Sequence, residues 1–141
     1  MKCRTPYRRA PWFDLPEHRI RLLHDLTTVA SDVHVVRSRF PGGFTVQCVL
    51  EPAGLAPQRV VIAFHPDAQH DPAVWAPGSP TSPHRYDDDS LCMWYPKDPP
   101  EQRWMWQHGA KALAGHICAH LIRENWWNLT DEWVGAEAPH D

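Results

Sequence analysis

The chain has 141 residues and a mass of 16.2 kDa, the size of one compact domain spanning 1–141, and its 43% hydrophobic and 22% charged residues exclude wholesale disorder. A net charge of −3 argues against a nucleic-acid grip built on bulk positive charge. No apolar run nears the roughly 18 residues of a membrane span, and the polar, proline-broken stretch Met1–Arg19 does not read as a secretory signal. We therefore expect a cytoplasmic protein without a membrane or nucleic-acid partner.

In chain order, Asp14 followed by Glu17 reads as an N-cap with its capping-box partner, and Pro16 is tolerated in a first turn. Ile20, Leu23 and Leu26, flanked by Leu22, recur at helical spacing, which predicts a short amphipathic helix over Leu15–Val29. The valine-rich stretch Val33–Arg39 reads as a strand, and Pro41-Gly42-Gly43 as a turn. Phe44, Val46, Cys48 and Leu50 then alternate with Thr45, Gln47 and Val49, the pattern of a strand with one buried face. Glu51–Gln58 is a proline- and glycine-broken loop, and Val60–Phe64 a third strand. Three strands so closely spaced suggest an antiparallel meander.

From His65 to Pro100 the pattern changes. Eight of these 36 residues are proline, and only Ala73-Val74-Trp75 resembles a short strand. Long irregular stretches inside small domains are usually functional or disordered. Leu91, Met93, Trp94 and Tyr95 need burial, which favours function. The proline-free run Glu101–Glu124 predicts the main helix, with Trp106, Ala110, Leu113, Ile117 and Leu121 on one face. Trp126, Trp127 and Trp133 follow in an aromatic tail. The layout is that of an α+β domain.

The four cysteines lie 26 or more residues apart, so no CxxC motif exists. Cys48 belongs to the alternating strand face and reads as a small core residue, as does Cys118 in mid-helix; Cys3 lies near a terminus. His116 and His120 share a helix face, but His-Ile-Cys-Ala-His lacks the glutamate of H-E-x-x-H, so apolar-face histidines are favoured over a zinc site. We expect no metal and no cofactor. Cys92 differs, because it sits in the irregular segment with His84 nearby and can serve as a nucleophile. Asp87, Asp88 and Asp89 are expected to raise its pKa, which disfavours a resting ion-pair thiolate. A thiol that accepts an already activated acyl group tolerates that setting.

Pro83-x-x-Tyr86-x-x-x-Ser90-Leu91-Cys92 resembles the active-site segment of ubiquitin-conjugating enzymes, where His-Pro-Asn leads through a tyrosine to Gly-Ser-Ile-Cys. The order of helix, meander, cysteine loop and helix is similar too, and implies a ubiquitin-conjugating (UBC-like) fold. Met93-Trp94-Tyr95-Pro96 after the cysteine, and Trp133, Gly135, Glu137 and His140 in the tail, resemble the prokaryotic relatives attached to bacterial anti-phage CBASS systems. The resemblance implies that Cys92 forms a thioester with the C-terminus of the CD-NTase nucleotide cyclase of the same operon and passes it to an amine, priming the cyclase. His84 takes the place of the oxyanion-stabilising asparagine, Ser82 that of the leading histidine, and Asp89 that of the glycine. An imidazole N–H can donate to an oxyanion. His140, with Glu137, either folds back toward Cys92 or is a satisfied surface residue, and Lys97 reads as a solvated lysine. The chain shows no glycine-rich phosphate loop and has no room for an ATP-using domain, so any adenylation falls to a separate activating enzyme. The competing reading is an inert UBC-like fold that binds the cyclase or another partner without catalysis.

Overall fold

The computed structural model describes residues 10–78, 81–95 and 97–135. A single 3-10 turn, Trp12–Asp14, precedes α1 (Pro16–Thr27). Asp14 does not cap this helix. It lies inside the 3-10 turn, and the N-cap is Leu15, in extended backbone without a side-chain cap. Pro16 opens the helix because its missing N–H would be unpaired there in any case. The buried face carries Leu22 and Leu26, with Leu23 partly covered, whereas Ile20 is 66% exposed. The helical stripe is thus narrower than the sequence spacing predicts; α1 contacts α2, β1 and the 3-10 turn that precedes it.

The meander is present and gains a fourth member. Strands β1 (Ser31–Val36), β2 (Phe44–Leu50), β3 (Gln58–Phe64) and β4 (Ala73–Trp75) form one sheet in chain order, antiparallel throughout. Phe44, Val46, Cys48 and Leu50 point inward as their alternation requires, and pair in register with Phe64, Ile62, Val60 and Gln58. Strand β1 begins and ends earlier than the valine pattern suggests. A register irregularity between Ser31 and His34 coincides with Asp32 in the left-handed region at φ 52°. Both edges are blunted in different ways: β1 is mostly exposed and bulged, and β4 is only three residues long.

The main helix departs most from its predicted bounds. Helix α2 runs Gly109–Thr130, not Glu101–Glu124. Residues 100–108 form two 3-10 turns, Pro100–Gln102 and Trp106–His108, separated by extended Arg103 and Met105. Gly109 then takes φ 88°, a left-handed conformation that glycine adopts without Cβ strain and that prevents a continuous helix upstream. Trp104 is fully buried and donates its indole N–H to the Gly109 carbonyl at 2.8 Å, which fixes this break. At the other end the helix absorbs Trp126 and Trp127 and stops at Asp131, whose left-handed backbone (φ 61°) returns its N–H to the Trp127 carbonyl.

Four of the five residues of the expected apolar face, Ala110, Leu113, Ile117 and Leu121, are buried on α2 together with Ala114, in one core cluster with the inward residues of the sheet, whereas Trp106 lies in the preceding 3-10 turn and is only partly buried. Trp12, Phe13, Phe44, Phe64 and Trp104 close one end of this core, mostly through edge-on or tilted ring contacts with centroids 5.1–6.4 Å apart. Trp106 stacks on Trp12 from outside. Among the described residues no helix is long and apolar enough to cross a membrane.

Candidate active site

The irregular segment is ordered around a small hairpin. Arg85 and Leu91 form an isolated antiparallel bridge. The Tyr86 N–H donates to the Ser90 carbonyl at 2.8 Å, and the Cys92 N–H to the His84 carbonyl at 2.9 Å. The Leu91 N–H donates to the Val74 carbonyl at 2.8 Å, so the hairpin docks on β4. The three aspartates build the turn at its tip. Asp88 accepts from the Ser90 N–H (2.9 Å) and hydroxyl (2.5 Å), while its carbonyl accepts the Trp75 indole N–H. Asp89, where the resembled segment has glycine, adopts φ 70°. Aspartate is among the few non-glycine residues that enter this region readily.

Cys92 is 6% exposed. Its thiol pKa is raised, first by burial and then by the carboxylate of Asp71, while a hydrogen bond from the Tyr86 hydroxyl pulls it down. The direction is the expected one, but its source is not. The acidic neighbour that matters is Asp71, far away in sequence, whereas Asp88 and Asp89 are engaged in the turn and with Arg85. Burial also raises the pKa of Asp71 itself, which accepts the Trp94 indole N–H at 3.1 Å. Burial and the Cys92 contact raise the pKa of Tyr86, so its hydroxyl remains a proton donor across the physiological range.

Behind the hairpin lies an ion pair that the sequence reading did not single out. The Arg85 guanidinium forks onto Glu124 of α2, with Nε donating to Oε2 at 2.9 Å and Nη2 to Oε1 at 2.8 Å. Its Nη1 donates to the carbonyls of Ala76 (2.9 Å) and Asp89 (3.1 Å). The two charged side chains are 2% and 3% exposed. The signal was present: the 3–4 spacing from Ile117 through Leu121 reaches position 124, so a glutamate there continues the buried face. One turn earlier His120 is also buried, beside His84 and Trp133. Its pKa is lowered to about 4, first by burial; Glu124 and a hydrogen bond to the His84 backbone oppose the fall, and His84 and Arg85 add to it. Its Nε2 has no hydrogen-bond partner among the described residues.

His84 and Cys92 are joined through the backbone. The His84 side chain is buried, with its ring 4.0 Å from that of Trp133. His116, the other half of the histidine pair, packs edge-on against Trp94 instead. Among the described residues no three histidine, cysteine or acidic side chains gather as a metal ion would require. Cys48 is fully buried with its pKa raised to about 11, first by burial and then by Cys118; Cys118 is half-buried against the core. Lys97 is exposed. Cys3, Pro96, Glu137 and His140 lie outside the described residues.

A family model described as Type II CBASS E2 protein matches residues 20–141. The chain belongs to the Type II CBASS E2 family. Neither the curated proteins nor the solved structures contain a match. Membership gives this CBASS E2 protein a role of the conjugating kind in CBASS antiviral defence, with its partners inside that system. It covers the hairpin, α2 and the sheet, but begins within α1.

Two outcomes follow from the electrostatics of this CBASS E2 protein. Asp71→Asn keeps an acceptor for Trp94 and removes the charge, so the Cys92 pKa is expected to fall, whereas Tyr86→Phe is expected to raise it. The pH dependence of Cys92 alkylation by iodoacetamide checks both signs, and an unchanged profile in the two variants would contradict them. The second outcome concerns stability. Because the folded pKa of His120 lies below its unfolded value near 6.5, the unfolded chain binds a proton that the folded chain refuses between pH 6.5 and about 4. The contribution is intact above that window and is lost as the pH falls through it, on the order of 3 kcal/mol in all. Glu124, His84 and Arg85 face the same ring and are held fixed in the comparison. Urea unfolding from pH 7 to 4.5 should show a shallower acid decline in His120→Phe, and parallel profiles would refute the assignment.

Proposed function

We propose that this protein is a single UBC-like conjugating domain in which Cys92 carries an acyl group as a thioester, derived from the C-terminus of the operon's CD-NTase nucleotide cyclase. The single observation that supports this reading most is the Cys92 hairpin itself. It presents a buried, neutral thiol beside a hydroxyl donor, between β4 and α2, at the spacing from Pro83 and Tyr86 that the conjugating enzymes share.

In the proposed first step the Cys92 sulfur attacks the carbonyl carbon of an activated acyl donor. A new C–S bond forms, the bond to the donor's leaving group breaks, and the thiol proton passes to that leaving group. In the second step an amine nitrogen on the acceptor attacks the same carbon. The C–N bond forms, the C–S bond breaks, and the departing Cys92 sulfur takes up a proton from the amine. A raised thiol pKa suits this chemistry. It lowers the resting thiolate population, and with it attack on unactivated carbonyls and oxidation, while an activated donor still reacts. The Tyr86 hydroxyl, bonded to the sulfur, would stabilise negative charge there during both steps. The developing oxyanion needs a separate donor. We assign that role to His84, supported by its place in the motif and its backbone link to Cys92. A separate activating enzyme would supply the activated donor.

The test is co-expression with the cyclase and comparison of Cys92→Ala, Cys48→Ala and Cys118→Ala on non-reducing gels. A dithiothreitol-sensitive adduct is expected in wild type and in the latter two, and is expected to disappear in Cys92→Ala. Equal adduct in all three variants would overturn the assignment. Full protection against phage by Cys92→Ala would instead favour a non-catalytic binding module.

A further inference from the structure

We propose that Arg85 and Glu124 are positioning residues for the cysteine: the forked ion pair between hairpin and helix sets where Cys92 sits relative to α2. This inference rests on the thioester reading of Cys92 given above. It concerns residues outside the motif that carried that reading.

Stability is a poor reason for this pair to exist. Removing two charges from water costs several kcal/mol per ion, and buried pairs replaced by packed apolar residues are often neutral or better. Arg85 and Glu124 are almost wholly buried, so they bear that cost in full. What the pair provides is direction. A guanidinium is a rigid planar fork, and a bidentate carboxylate fixes both its distance and its plane. Here the remaining donors of the same fork hold the Ala76 carbonyl after β4 and the Asp89 carbonyl in the turn of the hairpin. One side chain therefore ties three segments together: the exit of β4, the hairpin turn and α2.

The link to the thiol is short. Arg85 is the bridge partner of Leu91, the residue before Cys92, and the Cys92 N–H is bonded to the residue before Arg85. A shift of the guanidinium would move both neighbours of the sulfur. Gly78 adds a second restraint. A Cβ at this position would collide with both the Arg85 guanidinium and the Glu124 carboxylate, so the backbone lies directly over the pair on this side. Acyl transfer is sensitive to such placement, since a displacement of about 1 Å can lower a rate roughly a hundredfold.

The experiment replaces the pair without leaving a buried charge. Arg85→Met/Glu124→Leu is compared with wild type for single-turnover acyl transfer to Cys92 from a short peptide thioester of 2-mercaptoethanesulfonate, over a range of donor concentrations. Thermal unfolding is measured alongside. We expect the saturating rate to fall about tenfold or more while half-saturation and melting temperature stay close to wild type. A folded double variant with the wild-type rate would overturn the proposal. If the double variant does not fold, Arg85→Lys decides, because it keeps the charge and loses the fork. A slower transfer with unchanged iodoacetamide labelling of Cys92 would support positioning, and a wild-type transfer rate would overturn it. Absence of transfer in wild type, from this donor and from the cyclase alike, would instead remove the thioester reading and this inference with it.

Discussion

A buried guanidinium cannot be left without a partner, and much of the site follows from how this one is satisfied. Arg85 enters the interior between hairpin and helix, where only an ionised acceptor and well-aimed carbonyls can offset its lost hydration. Glu124 supplies the first, and Ala76 and Asp89 supply the second. Once those four bonds are made, the hairpin cannot slide along β4 or rotate over α2 without breaking them. The proline-rich segment, which lacks a long ladder of its own, is tied down by this side chain together with the Leu91–Val74, Trp94–Asp71 and Trp75–Asp88 hydrogen bonds. An irregular backbone with so few repeating contacts needs such specific ties to reach a single conformation.

The same arrangement explains the character of the thiol. Cys92 is held where water is largely excluded, near a carboxylate that disfavours its ionisation and a phenol that favours it. Burial is the largest of these influences. A cysteine of this kind is not a constitutively reactive thiolate of the protease type; it is suited to exchange with a donor activated elsewhere. His84, buried against Trp133 and next to His120, belongs to an aromatic and imidazole layer that joins the hairpin to the chain beyond α2.

Much of this was legible in the sequence, and the rest was not for identifiable reasons. Strict alternation from Phe44 to Leu50 has one structural meaning, and β2 lies where that pattern puts it; β3 starts at Gln58, two residues before the apolar run Val60–Phe64. The apolar face of α2 was readable from its 3–4 spacing. Its start was not, because periodicity cannot register a glycine in the left-handed region, and α2 begins at Gly109, eight residues later than the proline-free run suggests. Asp14 failed as a cap because the residues around it are pulled into a 3-10 turn by the burial of Trp12 and Phe13, a tertiary demand that overrides a local signal. At the site, Cys92 stood out through its loop setting and motif spacing. Asp71 did not, since it meets Cys92 across 21 residues and lies in no recognisable motif, and Glu124, 39 residues from Arg85, was marked only by its place on the buried face of α2.

The central claim is that an acyl group rests on Cys92. Intact mass of the protein recovered from its native host without reductant, wild type beside Cys92→Ser, tests it most directly. A large added mass that dithiothreitol removes is expected on wild type, and on the serine variant the same mass as an ester that resists dithiothreitol and yields to hydroxylamine or base. A partner that co-purifies equally with both proteins, with no covalent mass on either, would contradict it.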